Sequence, residues 1–348
     1  MKQEVLNIKF SCLPTGIGSL PFKNEKKACD FIFTHCPEIP FWPQLPKRDP
    51  KESMYEMFTE HLPGIVQRRK QLFLDSNQTE AQELFYIQFI NNPQKELAIS
   101  QDYAAGLHRL LCHNGYRQDI QAIKGQITGP ISFGLQINDE TGKPILYNDL
   151  LLDIVLKNIK AIIRWQEKVL SNICQETIIF IDEPYMSMIG STIVNIDPAK
   201  IQRMMNELIA DCKGKIGVHC CANTDWSILL NTDIDVLSFD AYEYADNLLI
   251  YREELARFLR KGGVIAWGLI PTASEQLARE TTETLFEKFD TLLAQLEEGT
   301  GLSQTRILES SLISPACGLG AREVSTTIQA FSLNKQLSEK IQKKYSLR

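Results

Sequence analysis

A histidine and two cysteines close an apolar run in the middle of the chain, in the segment Lys-Ile-Gly-Val-His-Cys-Cys at positions 215–221. The run predicts a buried strand that ends at His219, Cys220 and Cys221. Successive side chains of a strand point to opposite faces, so His219 and Cys221 share one face and Cys220 lies on the other. One imidazole and one thiolate on a single face supply two of the four ligands of a tetrahedral zinc ion.

Cys317, in the segment Ser-Pro-Ala-Cys-Gly-Leu-Gly-Ala-Arg at 314–322, is the best candidate for a third ligand. It follows Cys221 by about three βα units of roughly 32 residues each. A His-Cys-Cys set leaves one coordination position open, as in catalytic zinc sites. Two thiolates and a neutral imidazole cancel the charge of the metal, which favours holding a reactive thiolate over hydrolysis. The alternative is a buried histidine with two inert cysteines.

Three further polar residues lie at the ends of predicted strands or directly after them. Asp240 could occupy the open position until substrate arrives, a catalytic role as a displaceable oxygen ligand; otherwise it caps a loop. Asp182 is suited to hold a cationic amino group, unless it caps a helix or forms a loop salt bridge. Ser19, in the glycine turn 16–19, could bind a carboxylate through its hydroxyl and backbone N–H groups. The turn lacks the glycines and lysine of the common nucleotide-binding motifs, which excludes nucleotide binding.

Eight apolar segments, alternating with helical sequence, are predicted as the strands that carry these residues. They lie at 12–18, 39–45, 119–126, 177–182, 215–221, 235–240, 263–268 and 307–313. Amphipathic helices are predicted from about residue 25, from about 146 to 173, and at 198–212, 246–260, 273–297 and 321–344. Extra helices are expected between the second and third strands. Apolar strands that alternate with helices indicate a parallel sheet with both faces covered.

The fold is therefore predicted to be α/β, a single (β/α)8 TIM barrel over residues 1–348, with an open doubly wound sheet as the alternative. The active site of such a barrel is built at the carboxyl ends of its strands. All the candidate residues fall at these ends: Ser19, Asp182, His219, Cys221, Asp240 and Cys317.

Composition excludes several other classes of protein. The chain has 348 residues, 44% hydrophobic and 23% charged, with a net charge of −6. The sequence has no basic stripe, so we expect no nucleic-acid partner. It has no run of about 18 apolar residues, so we expect no membrane span, and the N terminus lacks the apolar core of a signal peptide. Nine irregularly spaced cysteines do not predict a disulfide framework. We expect a cytoplasmic protein.

Six motifs, in the right order along most of the chain, resemble the catalytic C-terminal barrel of cobalamin-independent methionine synthase. This barrel belongs to the superfamily of uroporphyrinogen decarboxylases and zinc-dependent thiol methyltransferases. The motifs are Ile-Gly-Ser-Leu-Pro at 17–21, Thr-Gly-Pro at 128–130, Ile-Asp-Glu-Pro at 181–184, His-Cys-Cys at 219–221, Asp-Val-Leu-Ser-Phe-Asp at 235–240 and Ser-Pro-Ala-Cys-Gly-Leu at 314–319.

The resemblance implies a role for each candidate residue. His219, Cys221 and Cys317 match the zinc ligands, and Asp240 matches the fourth, displaceable ligand, which is usually glutamate. Ser19 and Asp182 match the residues that hold the carboxylate and amino group of homocysteine. The implied reaction transfers a methyl group to zinc-bound homocysteine and yields methionine.

Three departures from the family bear on the methyl donor. The full-length synthase has a second, N-terminal barrel that helps bind its folate donor, for which 348 residues leave no room. The histidine that the family places after the seventh strand, to protonate the leaving folate nitrogen, is absent from Trp-Gly-Leu-Ile-Pro at 267–271. An early acidic residue that binds homocysteine is not evident near Trp-Pro-Gln-Leu-Pro at 42–46.

These departures favour a methylcorrinoid donor, carried on a partner protein, because a methyl–cobalt bond breaks without a proton whereas a methyl–nitrogen bond in folate needs acid assistance. Three alternatives stay open. The acceptor could be another thiol such as coenzyme M. The protein could be a metal-free decarboxylase of the uroporphyrinogen type. It could also be a zinc-binding or corrinoid-docking module without enzymatic activity.

Overall fold

Seven parallel strands form the central sheet of this computed structural model, which describes residues 8–68, 71–112, 119–191 and 194–347. The strands, in chain order, are β1 (Leu13–Pro14), β2 (Ile65–Arg68), β3 (Gln71–Leu74), β4 (Ile123–Thr128), β5 (Thr177–Asp182), β6 (Lys215–Cys220), β7 (Val236–Phe239), β8 (Val264–Ile270) and β9 (Ser311–Pro315). The curled sheet has the order β1-β9-β8-β7-β6-β5-β4. Its strands are buried on both faces, which agrees with the predicted parallel sheet.

The two edges of this sheet do not pair with each other, so it is not the regular eight-stranded barrel that the sequence predicts. The segment predicted as the second strand, 39–45, lies between the edges but forms only isolated bridges. Gln44 bridges Ser19 and Phe41 bridges Lys124, both in parallel. Proline occupies positions 40 and 43. Because proline has no backbone N–H, this segment cannot make a continuous hydrogen-bond ladder.

The inside of the curl changes from apolar to polar along the strands. One buried cluster contains only residues of the sheet strands and of short adjoining segments: Phe10, Leu13, Ile39, Ala122, Ile178, Phe180, Val236, Val264, Ala266 and Leu312. Residues two positions further along a strand share the same face. Asp182 follows Phe180, Ser238 follows Val236 and Ser314 follows Leu312 in this way. The polar residues therefore lie inside the curl, toward the carboxyl ends of the strands.

Helices cover the outer face of the sheet, where a second, larger cluster of apolar side chains packs. Their bounds are α1 (Glu25–His35), α2 (Thr79–Asn91), α3 (Ala105–Leu111), α4 (Pro130–Gln136), α5 (Asp149–Leu170), α6 (Pro198–Ile209), α7 (Trp226–Leu230), α8 (Ala241–Leu248), α9 (Arg252–Arg260), α10 (Ser274–Leu277), α11 (Thr282–Thr300), α12 (Gln304–Glu309) and α13 (Val324–Lys344). Short 3-10 turns lie at Pro50–Glu52, Glu56–Phe58, Ile145–Tyr147 and Pro184–Met188. None of the described helices is long and apolar enough to cross a membrane.

Several predicted boundaries are wrong for local reasons. The strand predicted at 307–313 begins only at Ser311, because Ile307 and Leu308 belong to α12, whose N-cap is Ser303. The helix predicted over 273–297 is two helices, and the second begins at a capping box formed by Thr281 and Thr284. The region between the second and third predicted strands contains the expected extra helices α2 and α3. It also contains the antiparallel pair β2–β3, which the sequence did not predict.

Candidate active site

Three of the predicted site residues come together at the carboxyl end of the sheet. One ligand atom of each of His219, Cys221 and Cys317 lies within 4.8 Å of the other two. His219 lies near the end of β6, Cys221 directly follows that strand, and Cys317 lies two residues after β9. Cys220, by contrast, is fully buried among the apolar side chains between the sheet and the helices, as strand alternation predicts. Its thiol donates to the carbonyl oxygen of Ala222 at 3.2 Å.

The hydrogen bonding of His219 fits a metal ligand. The ring is 3% exposed, and its Nδ1 lies 3.0 Å from the hydroxyl oxygen of Ser238. Nε2 is buried without a hydrogen-bond partner. An N–H on Nδ1 would donate to Ser238 and leave the lone pair of Nε2 for a metal, the usual arrangement of a ligating histidine. Ser238 was not predicted as a site residue, although it is an inward-facing polar residue of an otherwise apolar strand.

The thiols of Cys221 and Cys317 are hydrogen-bonded to each other. The hydrogen bond between them lowers the pKa of Cys221 to about 4, an effect that contacts with His219 reinforce and burial opposes. The same hydrogen bond raises the pKa of Cys317, and burial adds to that increase. The two sulfurs lie beside an imidazole with a nitrogen that has no hydrogen-bond partner. Two sulfurs and one nitrogen form a donor set that suits zinc, which binds cysteine as the thiolate.

Asp240 lies outside this group of ligand atoms. It directly follows β7 and is the N-cap of α8, where its Oδ1 accepts a hydrogen bond from the backbone N–H of Glu243 at 3.0 Å. Burial raises its pKa to about 6. Asp240 therefore caps α8 through Oδ1, and its role as a metal ligand stays a prediction.

Asp182 lies beside His219 at the end of β5, and the two residues pair in register across β5 and β6. Its side chain is partly exposed, but the Oδ1 atom is buried without a hydrogen-bond partner. Burial raises its pKa to about 6, while the nearby charges of His219 and Lys124 oppose the increase. An unpaired carboxylate oxygen here would be satisfied by a cationic ligand.

Ser19 is held against the loop that contains Cys317. Its hydroxyl oxygen accepts from the backbone N–H of Gly320 at 3.3 Å, and its carbonyl oxygen accepts from the N–H of Leu319 at 3.0 Å. A Cβ atom on Gly318 would lie 2.3 Å from the Ser19 Oγ, so only glycine fits at position 318 without movement of the serine. Because its oxygen is the acceptor in this contact, the Ser19 hydroxyl can donate to a ligand.

Glu183 connects the loops at the ends of β4 and β5, a role that sequence reasoning missed. It is fully buried, and its two oxygens accept from the backbone N–H groups of Ile131 at 3.0 Å and Ser132 at 2.7 Å. A Cβ on Gly129 would lie 2.2 Å from its Oε1. The motifs at 128–130 and 181–184 thus form one packed unit. The position of Glu183, directly after the apolar strand β5, is the sequence signal that could have indicated its burial.

Lys124 was also missed, although a lysine inside the apolar strand β4 is an unusual residue. It is fully buried and lies 4.4 Å from the ring centroid of Phe180. Its Nζ donates to the carbonyl oxygen of Ile17 at 2.6 Å, two residues before Ser19. Burial lowers its pKa to about 7. Lys124 therefore anchors the turn that presents Ser19.

Comparison with known proteins identifies related folds and a family. Over its whole length, the chain is similar to a B12-independent methionine synthase from Shewanella sp. W3-18-1, solved in complex with selenomethionine. The TM-score is 0.57 at 15% identity, over 97% of this chain and 99% of that one. A Listeria monocytogenes protein proposed to be a vitamin-B12-independent methionine synthase gives a TM-score of 0.58 at 13% identity, over 91% of this chain and 85% of that one. At these identities the likeness concerns the fold.

No protein with a curated description matches the sequence. The family model for the catalytic domain of cobalamin-independent synthase matches residues 98–340, more than two thirds of the chain. This range includes Asp182, the three clustered ligand candidates and Asp240, while Ser19 precedes it. The chain belongs to the family of cobalamin-independent synthase catalytic domains.

Proposed function

We propose that this protein is a zinc-dependent S-methyltransferase that methylates the thiol of homocysteine to form methionine. The observation that carries the proposal is the cluster of His219, Cys221 and Cys317, in which the buried Nε2 of His219 has no hydrogen-bond partner. The family match supports methyl transfer as the reaction class. It gives no support to a decarboxylase of the uroporphyrinogen type.

In this proposal His219, Cys221 and Cys317 would hold zinc, which would supply the chemistry of a deprotonated, nucleophilic substrate thiol. Ser238 accepts the Nδ1–H of His219 and so fixes which ring nitrogen faces the cluster. The proposal also keeps Asp240 as the displaceable fourth ligand. Its N-cap bond uses Oδ1, and a carboxylate has a second oxygen to offer.

The substrate is held by its two charged groups at one end. The hydroxyl of Ser19 donates to the carboxylate, and Asp182 accepts from the ammonium through its otherwise unpaired Oδ1. Ser19 is fixed to the loop after Cys317, and Asp182 pairs with His219 across the sheet. Both contacts therefore lie beside the ligand cluster, so that the thiol at the other end of the substrate can reach it.

For the donor, we propose a methylcorrinoid carried by a partner protein. The new S–CH3 bond forms as the Co–CH3 bond breaks, and the electron pair of that bond remains on cobalt as cob(I)alamin. No proton is required, whereas a folate nitrogen leaves with acid assistance. The carboxyl end of β8 carries the apolar Leu269 and Ile270 and no histidine in this fully described strand. The donor proposal departs from the cobalamin independence for which the family is named.

Anaerobic incubation of the zinc enzyme with homocysteine and methylcobalamin tests the proposal. We expect methionine and cob(I)alamin in equal amounts, and no turnover when coenzyme M replaces homocysteine. Methionine formed from methyltetrahydrofolate but not from methylcobalamin would refute the donor and leave homocysteine methylation in place. Absence of methionine with either donor would refute the proposed function.

A further inference from the structure

Several buried polar atoms inside the curl have no hydrogen-bond partner. Among the described residues these include Gln126 Oε1, Asp182 Oδ1, His219 Nε2 and Ser314 Oγ. All four belong to inward-facing positions near the carboxyl ends of β4, β5, β6 and β9. Buried polar atoms are rarely left unpaired, so these four atoms inside the curl are expected to be completed by a ligand, an ion or water. The roles proposed above use Asp182 and His219 but leave Gln126 unexplained.

The orientation of the Gln126 amide is fixed by its surroundings. Its Nε2 donates to the carbonyl oxygen of Trp42 at 3.1 Å. A backbone carbonyl can only accept a hydrogen bond, so the Nε2 of Gln126 must face Trp42. The Oε1 of Gln126 therefore points away from that carbonyl. The residue is 1% exposed. Nearby, Gln166 receives the indole N–H of Trp42 at 2.9 Å and donates to the backbone carbonyl of Gln126 at 3.0 Å, which holds the strand in place.

The free oxygen of Gln126 lies directly beside the turn that presents Ser19. A Cβ on Gly18 would be 2.9 Å from Oε1 and 2.6 Å from the amide carbon, so the glutamine side chain packs against the residue that precedes the serine. Gln126 also lies on the strand next to Asp182, since Thr128 pairs with Asp182 across β4 and β5. In this register Gln126 itself pairs with Phe180, so its side chain lies one inward-facing position before Asp182 and packs against the turn that presents Ser19.

The chemistry of these oxygens selects a donor-rich ligand. A glutamine carbonyl and a carboxylate both accept hydrogen bonds, and an ammonium offers three donors and no acceptor. An ammonium can therefore donate to both oxygens at once.

Building on the proposed function, we infer that Gln126 is a specificity-determining residue that accepts a hydrogen bond from the ammonium of the amino-acid substrate. Gln126 and Asp182 together distinguish an amino-acid thiol from a thiol that lacks the amino group. By this inference, the second hydrogen-bond acceptor for the substrate ammonium lies on β4. Residues 42–46 include no acidic side chain that could take this role.

A ligand pair that differs only in the ammonium tests the inference. Methionine and 4-(methylthio)butanoate share the carboxylate and the thioether, and their dissociation constants for the zinc protein can be compared by calorimetry without turnover. Wild type should prefer methionine. Gln126→Met, which keeps the length of the side chain but removes the acceptor, should lower this preference about ten-fold through weaker methionine binding alone.

Gln82→Met is the matched control, because it also removes a buried glutamine amide that donates to a backbone carbonyl, that of Asp75, but one that lies in α2 and not on a strand of the sheet. It should lower the melting temperature and leave the preference unchanged. Gln126→Glu provides a second variant should Gln126→Met fold poorly. It keeps an acceptor beside Gly18 and should retain or increase the preference for methionine.

The outcomes separate the inference from the proposed function. An unchanged preference in Gln126→Met, or equal weakening of both ligands, would overturn the role of Gln126 and leave homocysteine as the substrate. A loss of the preference in Gln126→Glu would also overturn it. A wild-type protein that binds both ligands equally would count against the amino-acid substrate itself, and hence against both.

Discussion

At the scale of single residues, the candidate site depends on which groups remain unpaired. The Nδ1 of His219 is hydrogen-bonded to Ser238, its Nε2 has no hydrogen-bond partner, and the thiols of Cys221 and Cys317 are hydrogen-bonded to each other. Cys220, one position away, is buried between sheet and helices. Strand alternation therefore separates two adjacent cysteines into a candidate ligand and a core side chain.

This separation predicts opposite results for two cysteine variants. Cys317→Ser removes a soft thiolate ligand and should abolish stoichiometric zinc, with methyl transfer reduced by at least about 100-fold. Cys220→Ser preserves a donor to Ala222 and should retain both zinc and activity. Metal content by mass spectrometry and the methionine assay measure the two effects. Equal zinc in the two variants would contradict the assignment of Cys317.

At the scale of elements, the site is built from loops that are fixed to one another. The turn before Ser19 is anchored by Lys124, the serine itself by the loop after β9, and the ends of β4 and β5 by Glu183. Close approaches at Gly318 and Gly129 make these contacts possible. The substrate-binding groups are thus held by backbone contacts that a Cβ atom would disturb.

Gly318→Ala should displace Ser19 without removing a candidate metal ligand. The new Cβ would lie 2.3 Å from the serine Oγ, so we expect weaker substrate binding, with KM for homocysteine raised about ten-fold or more and zinc content unchanged. Gly299→Ala is the control, because Gly299 lies within α11 and the atoms nearest to its new Cβ, at 3.3 Å, would belong to the flexible side chain of Arg252. That variant should keep its KM; a KM in Gly318→Ala equal to wild type would argue against Ser19 as a substrate contact.

At the scale of the whole molecule, the sequence predicts the parallel α/β sheet and most of its strands, because their apolar runs are long and alternate with amphipathic helices. It fails at 39–45, where Pro40 and Pro43 interrupt an otherwise apolar segment and leave isolated bridges. It also could not decide the role of Asp240, since an aspartate between a strand and a helix suits both a cap and a metal ligand. Gln126 and Ser238 escaped notice because only the folded strands show that they share one interior.

The stability of the whole fold should depend on pH through Glu183. Burial raises its folded-state pKa to about 7, above an ordinary value of 4.5. A raised pKa means that the folded state binds the proton more tightly than the unfolded state. The associated stability is full below about pH 4.5 and is lost as the pH rises through about 7.

Glu183→Gln removes this titration. The variant should be less stable at pH 5, because an amide cannot accept from the N–H groups of both Ile131 and Ser132. The difference in melting temperature from wild type should then narrow as the pH rises from 5 to 8. A difference that is constant with pH, or that widens, would contradict the raised pKa of Glu183.

The central claim is that His219, Cys221 and Cys317 hold a zinc ion that binds the substrate thiol. X-ray absorption at the zinc edge, with and without homocysteine, tests it most directly. Without substrate, we predict two sulfur ligands at about 2.3 Å together with nitrogen and oxygen. Homocysteine should bring the number of sulfur ligands to three as an oxygen is lost. A zinc site that keeps two sulfurs in the presence of homocysteine, or a protein that binds no stoichiometric zinc, would contradict the account.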